Sequence, residues 1–131
     1  MARLTLADLA PYPRARKAIC NGAGPKGWGW LVPDLWFTKP ADGHDLSYWV
    51  GNRAIDKLCG DVMFYVGCLQ ECLTSGLGFW KALLRLFLSH VYFVAVALGG
   101  WFCFHWGSKR TIADVKVLER HLAWKERYKE N

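Results

Sequence analysis

His44 and Asp45 are the residues of this 131-residue chain whose types and positions suggest chemistry most directly. A neutral imidazole at His44 can take a proton from water, and the carboxylate of Asp45 is a hard ligand for calcium (Ca2+). Consecutive helical residues point about 100° apart, so the pair cannot stack as a dyad and would serve two adjacent sites. A second carboxylate, best supplied by Asp61, can hold the other ring nitrogen of His44. These residues predict a calcium-assisted hydrolase that activates water.

A glycine-rich loop precedes the pair and suits the same chemistry. The backbone carbonyls of Asn21-Gly22-Ala23-Gly24 can turn inward because glycine reaches conformations that other residues avoid. Calcium accepts such carbonyl oxygens alongside a carboxylate. Asp56 competes with Asp61 for the role beside the histidine; we prefer Asp61 because Phe64 follows it.

The apolar pattern and the turn residues predict a mainly α fold that positions these groups. Pro40 and Asp42 favour a helix start and Gly51-Asn52 a stop, which places the His-Asp pair on a helix over 42–50. The other predicted elements are a short helix over 4–10, a long helix from about 54–56 to 74, an apolar helix over 79–104 that Gly99-Gly100 can interrupt, and an amphipathic, charged helix in the tail 109–131. Strand-like alternation is not found.

In order and spacing, these residues resemble the phospholipase A2 superfamily, most closely the small phospholipase A2-like proteins encoded by bacteriophages and prophages. The matching residues are Cys20-Asn21-Gly22-Ala23-Gly24-Pro25, Leu31-Val32-Pro33-Asp34, His44-Asp45-x-x-Tyr48 with Val50-Gly51, Asp61-x-x-Phe64, and Tyr92-x-x-x-Val96 followed by Gly99-Gly100 and Phe102. The His-Asp-x-x-Tyr motif is weak alone. It gains specificity from the glycine loop before it and Asp-x-x-Phe after it.

The resemblance implies a phospholipase A2-like core with a calcium loop and two packed antiparallel helices. In such a core His44 is the general base and Asp61 orients it. Tyr48 supports Asp61, and Tyr92 is a further candidate for that support. By the same resemblance, the calcium ligands are the carboxylate of Asp45 and the backbone carbonyls of Cys20, Gly22 and Gly24.

The resemblance covers about residues 19–107 and leaves both ends unexplained. We therefore expect a basic N-terminal arm over 1–19, a phospholipase A2-like domain over 20–107 and an amphipathic C-terminal tail over 108–131. Family members commonly carry cysteines where this chain has Ala23 and Ala41. The disulfide clamp between loop and helix is therefore not expected.

Composition and charge favour an anionic partner. Hydrophobic residues make up 53% of the chain, which excludes a disordered protein, and the formal net charge is +6. The excess of Trp, Phe and Leu favours an anionic phospholipid membrane surface, and nucleic acid is not expected as a partner. Asp8 comes too early for a secretory apolar core, so we expect no signal peptide. The expected location is the host bacterial cell or the virion, peripheral to the membrane.

The segment Leu86–Phe104 allows two interpretations. It contains no charged residue and approaches the length needed to span a bilayer. Lys81 and Arg85 at one edge, together with Gly99-Gly100, favour a buried core helix, and we prefer that interpretation to a transmembrane helix.

Two main classes of function remain open. The leading hypothesis is a phage-encoded, calcium-dependent hydrolase of glycerophospholipid esters that acts on host envelope lipids. The alternative is a catalytically weak or inactive structural protein on the same fold, associated with the virion or membrane and docking to other virion proteins through its tail. A holin-type membrane protein would depend on Leu86–Phe104 alone. Structurally, His44 can also be a histidine satisfied in the core, and Asp45 a residue that favours the helix start.

Overall fold

The computed structural model describes residues 4–20 and 37–129, and over these ranges the chain is mainly helical, with no strand. The predicted fold class is thus confirmed at the level of a mainly α protein. The helices are α1 (Pro13–Ile19), α2 (Thr38–Val50), α3 (Ala54–Thr74), α4 (Phe79–Gly99) and α5 (Ile112–Lys129). Short 3-10 turns occupy Leu6–Leu9 and Gly100–Phe102. The predicted calcium-loop residues after Cys20 lie outside the described residues.

The helix that carries the His-Asp pair begins earlier than predicted. α2 starts at Thr38, so Pro40 lies within its first turn. A proline is tolerated there because the first backbone N–H groups of a helix have no partner within the helix. The first intrahelical bond runs from the N–H of Ala41 to the carbonyl of Phe37, at 2.8 Å.

The end of α2 was predicted correctly, and the segment 105–110 caps it. Gly51 has a left-handed φ of 67°, and a Cβ atom there would collide with the backbone carbonyl of His105. The N–H of His105 donates to the carbonyl of Tyr48 at 3.1 Å, and the N–H of Arg110 donates to that of Val50 at 3.0 Å. The guanidinium of Arg110 donates to the carbonyl of Trp49 at 3.0 Å. The last carbonyls of α2 are therefore bound by residues more than fifty positions later in the chain.

α2, α3 and α4 pack side by side, each antiparallel to the next. Gly60 of α3 lies against Ser47 of α2, and Gly67 lies against Pro40. An added Cβ would approach Ser47 to 3.2 Å and Pro40 to 3.1 Å, so the glycines allow close approach of the two helices. The hydroxyl of Tyr65 on α3 is 2.8 Å from Nε2 of His90 on α4. The backbones that carry His44 and Asp61 are therefore held next to each other.

The N-terminal segment packs onto α2, and α5 packs onto α1. One hydrophobic cluster consists of Leu9, Ala15, Ile19, Leu46, Val50 and Val115. α1 was not predicted within the N-terminal arm, although Pro13 at its first position suits a helix start. Glu119 of α5 accepts a hydrogen bond from the N–H of Ala15 at 2.7 Å and pairs with Arg14 at 3.2 Å. The arm and the tail thus share a core with the helix of the His-Asp pair.

The preferred interpretation of Leu86–Phe104 as a buried core helix was wrong. In α4 only Ser89 and Tyr92 are buried, because α3 covers one side of the helix and the opposite side faces solvent. By length and composition, the stretch Phe79–Phe102 could cross a membrane. Of an apolar segment of 18 residues within it, 11% is buried inside the protein. Most of its apolar side chains are therefore at the surface, while Tyr92, with Leu88 and Val96, packs in a core cluster with Phe37 and Phe64.

Candidate active site

Three side chains converge on the carboxylate of Asp61, which is 1% exposed. Nε2 of His44 lies 3.1 Å from its Oδ1. The hydroxyl of Tyr48 donates to the same oxygen at 2.6 Å, and the ammonium of Lys57 donates to Oδ2 at 2.6 Å. The structure thus brings together the three residues predicted for catalysis and adds a fourth, Lys57.

Helical spacing explains this arrangement. His44 and Tyr48 are four residues apart on α2, and Lys57 and Asp61 are four apart on α3, so each pair lies on one helix face. The rings of Tyr48 and Phe64 flank the imidazole, with centroids at 4.0 and 5.1 Å. His44 is therefore fixed by packing as well as by its hydrogen bond.

Lys57 is the site residue that the sequence analysis missed. It is 2% exposed, and an ammonium has three N–H donors. Its three acceptors are Oδ2 of Asp61 and the carbonyls of Val96 and Ala97 on α4, the latter two at 3.3 Å. The spacing Lys57-x-x-x-Asp61 on a predicted helix was the available signal. The burial that makes the pair important depends on α4 and cannot be found from spacing.

The geometry determines which ring nitrogen of neutral His44 carries the proton. An ionised carboxylate can only accept hydrogen bonds, so Nε2–H donates to Asp61 and the lone pair remains on Nδ1. The distance from Nδ1 to Oδ1 of Asp45 is 3.9 Å, longer than a hydrogen bond. Nδ1 is therefore the ring nitrogen that can accept a proton from water.

Burial and neighbouring groups shift the pKa values of His44 and Asp61 in opposite directions. Burial lowers the pKa of His44, but the carboxylates of Asp45 and Asp61 outweigh it, and the net shift is upward. Burial raises the pKa of Asp61, but the hydrogen bonds from His44, Lys57 and Tyr48 and the charge of Lys57 hold it below its ordinary value. Asp61 is therefore ionised at neutral pH.

A cavity of about 530 Å³ reaches His44. Its lining is largely apolar and includes Leu4, Leu6, Met63 and Phe64. This volume falls within the range of about 300–1,000 Å³ that is usual for small-molecule pockets. An apolar ligand can therefore lie against the imidazole.

Two of the predicted calcium ligands, Asp45 and Cys20, lie among the described residues. The side chain of Asp45 is next to His44 and 13% exposed. Sγ of Cys20 is 3.7 Å from the carbonyl of Asp42, so the start of the predicted loop lies against the same helix. Burial, followed by the charges of Asp42 and Asp45, raises the pKa of the Cys20 thiol to about 11. Gly22 and Gly24 lie outside the described residues.

Within residues 4–20 and 37–129, no group of three or more His, Cys, Asp or Glu side chains is placed to hold a metal ion.

Asp56 was the alternative to Asp61, and Tyr92 was a further candidate for supporting Asp61; both contact other residues. Oδ2 of Asp56 accepts a hydrogen bond from the N–H of Arg53 at 3.1 Å, which caps the start of α3. The ring of Tyr92 packs edge-on against Phe37, with centroids 5.5 Å apart. Asp61, and not Asp56, is the carboxylate that contacts the histidine.

Gly100 allows Tyr48 to reach Asp61. A Cβ atom at Gly100 would collide with the Tyr48 hydroxyl, whereas a Cβ at Gly99 would meet no atom within 4 Å. We expect Gly100→Ala to displace that hydroxyl and to lower the free energy of unfolding by about 1–3 kcal/mol. Gly99→Ala should be neutral or slightly stabilising. Urea unfolding of the two variants checks this, and equal stabilities would contradict the close contact.

Comparisons of the chain with protein-family models, with curated proteins and with solved structures find no match. The function is therefore inferred from the geometry around Asp61 and from the motif resemblance.

Proposed function

We propose that the chain is a calcium-dependent, phospholipase A2-like hydrolase of glycerophospholipid esters, phage-encoded and acting on host envelope lipids at an anionic membrane surface. The observation that carries this proposal is the environment of His44. One ring nitrogen is bound to a buried, ionised Asp61, and the residue lines an apolar cavity. This is the arrangement that a general base for water needs.

In the proposed reaction, Nδ1 of His44 takes a proton from water as the water oxygen attacks the ester carbonyl carbon. Asp61 stabilises the resulting imidazolium, and Tyr48 and Lys57 hold Asp61 in place. The imidazolium then returns the proton to the departing alcohol, which leaves a fatty acid and a lysophospholipid. Calcium, held by Asp45 and the carbonyls of Cys20, Gly22 and Gly24, would supply positive charge for the oxyanion.

The cavity supports a substrate with a long apolar part. Leu4 and Leu6 from the N-terminal segment and Met63 and Phe64 from α3 line it beside His44. An acyl chain can lie against these side chains while the ester is next to the imidazole.

The proposal predicts fatty-acid release from mixed phosphatidylglycerol and phosphatidylethanolamine vesicles that requires calcium and stops with chelator. Asp45→Asn should raise the calcium concentration for half-maximal rate by about tenfold or more, because it removes the one anionic ligand. Asp42→Asn, on the same helix, is the matched control and should change this concentration far less. No release by well-folded protein in either condition would overturn the hydrolase proposal.

The surface of α5 favours the second candidate, a virion or membrane-associated structural protein. Val117, Trp124 and Tyr128 are exposed there and recur at spacings that place them near one helix face. Exposed aromatic residues are frequent at protein interfaces. Stable co-purification with virion proteins, without hydrolysis or calcium affinity, would favour this candidate.

A further inference from the structure

α4 presents an uncharged apolar stripe to solvent. Over residues 82–102, none of the exposed residues is Lys, Arg, Asp or Glu. The stripe consists of Leu83, Phe87, Val91, Val94 and Leu98, all of them exposed, and their spacing places them on one side of the helix. An exposed apolar surface of this length indicates a binding partner.

The residues around the stripe indicate a lipid partner. Aromatic side chains are exposed at both ends of the helix, with Phe79 and Trp80 at one and Trp101 and Phe102 at the other. Aromatic side chains of this kind favour the level of the lipid headgroups. Arg85 and exposed Lys81 lie near one end, and the chain carries a net charge of +6. This charge attracts an anionic bilayer and opposes the approach of a second copy.

The packing of α2 and α3 decides how the helix meets the bilayer. α3 runs alongside α4 and α2 packs on α3, and the two helices carry charged residues such as Lys39 and Glu71. If α4 crossed the membrane, these charges would be carried to the depth of the hydrocarbon, where they are costly. If α4 lies flat, only its outer face enters the lipid.

We propose that α4 lies in the plane of an anionic phospholipid bilayer, with the stripe immersed in one leaflet. This position does not depend on hydrolysis. It would also bring the Asp61 site close to the bilayer. The backbone carbonyls of Val96 and Ala97, on the inner side of α4, bind the ammonium of Lys57, which belongs to that site. Met63 lines the cavity and is itself exposed.

The test measures binding to phosphatidylglycerol and phosphatidylethanolamine vesicles by sedimentation, in chelator and with His44→Ala protein, so that hydrolysis has no effect on the result. Val94 on α4 and Val117 on α5 are 53% and 57% exposed, which gives a matched pair. Val94→Glu should weaken binding at least about tenfold, and Val117→Glu should change it less than about twofold. Leu98→Glu repeats the test at a second stripe position, and circular dichroism verifies folding.

Three outcomes of the binding test would overturn the proposal: no binding by the parent protein, equal effects of the two valine variants, or conversion of an oligomer to a monomer by Val94→Glu with vesicle binding unchanged. The last outcome would identify a second copy of the chain as the partner.

An amine-acylating reagent that cannot cross the bilayer tests the orientation. Lys39 precedes α4 in the chain and Lys125 follows it, and both are exposed. With α4 in the plane of the membrane, reagent added outside sealed vesicles should modify both lysines equally, as read by mass spectrometry. Protection of one of them until the vesicles are opened would show that α4 crosses the bilayer and would overturn the in-plane position.

Discussion

Replacing His44 by alanine is expected to reduce calcium-dependent fatty-acid release at least about 100-fold, because general-base catalysis typically contributes about 10²–10⁴-fold. The variant loses the nitrogen that accepts the proton of water and the imidazolium that Asp61 stabilises. Initial rates on the same vesicles, at saturating calcium, measure the effect.

His121→Ala is the matched control, since this histidine is exposed on α5, away from the Asp61 cluster. It should retain the parent rate, and both variants should retain the parent's helical circular dichroism. A His44→Ala protein that hydrolysed lipid as fast as the control would remove His44 from the mechanism.

The second large effect is expected at the buried pair of Lys57 and Asp61. Asp61→Asn leaves an ammonium that is 2% exposed without its carboxylate, and breaking such a pair typically costs about 3–5 kcal/mol. The double variant Lys57→Met/Asp61→Asn removes the charge together with its partner and should recover much of that loss. Urea unfolding at neutral pH measures the parent, Asp61→Asn, Lys57→Met and the double variant.

Additive effects of Lys57→Met and Asp61→Asn on the free energy of unfolding would contradict the direct pairing. Residues that are in contact deviate from additivity.

The pH dependence of stability follows from the lowered pKa of Asp61. The carboxyl has an ordinary value of 3.8 and a lower value in the folded protein, so the folded state favours its ionised form. Its contribution to stability is complete above pH values near the unfolded pKa and is lost as the pH falls through the folded pKa. The parent should therefore lose stability in acid more steeply than the Lys57→Met/Asp61→Asn variant.

Local signals in the sequence predicted the ends of α2 and α3 well. Gly51 after α2 and the Ser75–Gly78 break after α3 act within one turn of the helix they end. The contact of His44 and Tyr48 with Asp61 could also be predicted, because helical spacing and the motif order together favour it. The helix ends and this contact depend on residues close in sequence or at regular helical spacing.

Other features depend on contacts distant in the chain. The role of Lys57 requires the carbonyls of α4, about forty positions later. α1 is only seven residues long and gains its stability from packing on α2 and α5. Hydrophobicity showed that α4 would be apolar but could not show which of its sides would remain uncovered. The side chain of Asp45 lies beside His44, as its sequence position requires, but its ligand role is still a prediction.

The capping of α2 by residues 105–110 also sets the time at which the site can form during synthesis. The helix that carries His44 leaves the ribosome early, but the groups that bind its last carbonyls, at Tyr48, Trp49 and Val50, come from His105 and Arg110. Val115, in the cluster beneath that helix, is made later still. Domains generally fold as units during synthesis, and here the unit is not complete until Val115 has been made. We therefore expect nascent chains that end before Val115 to have no formed site around Asp61.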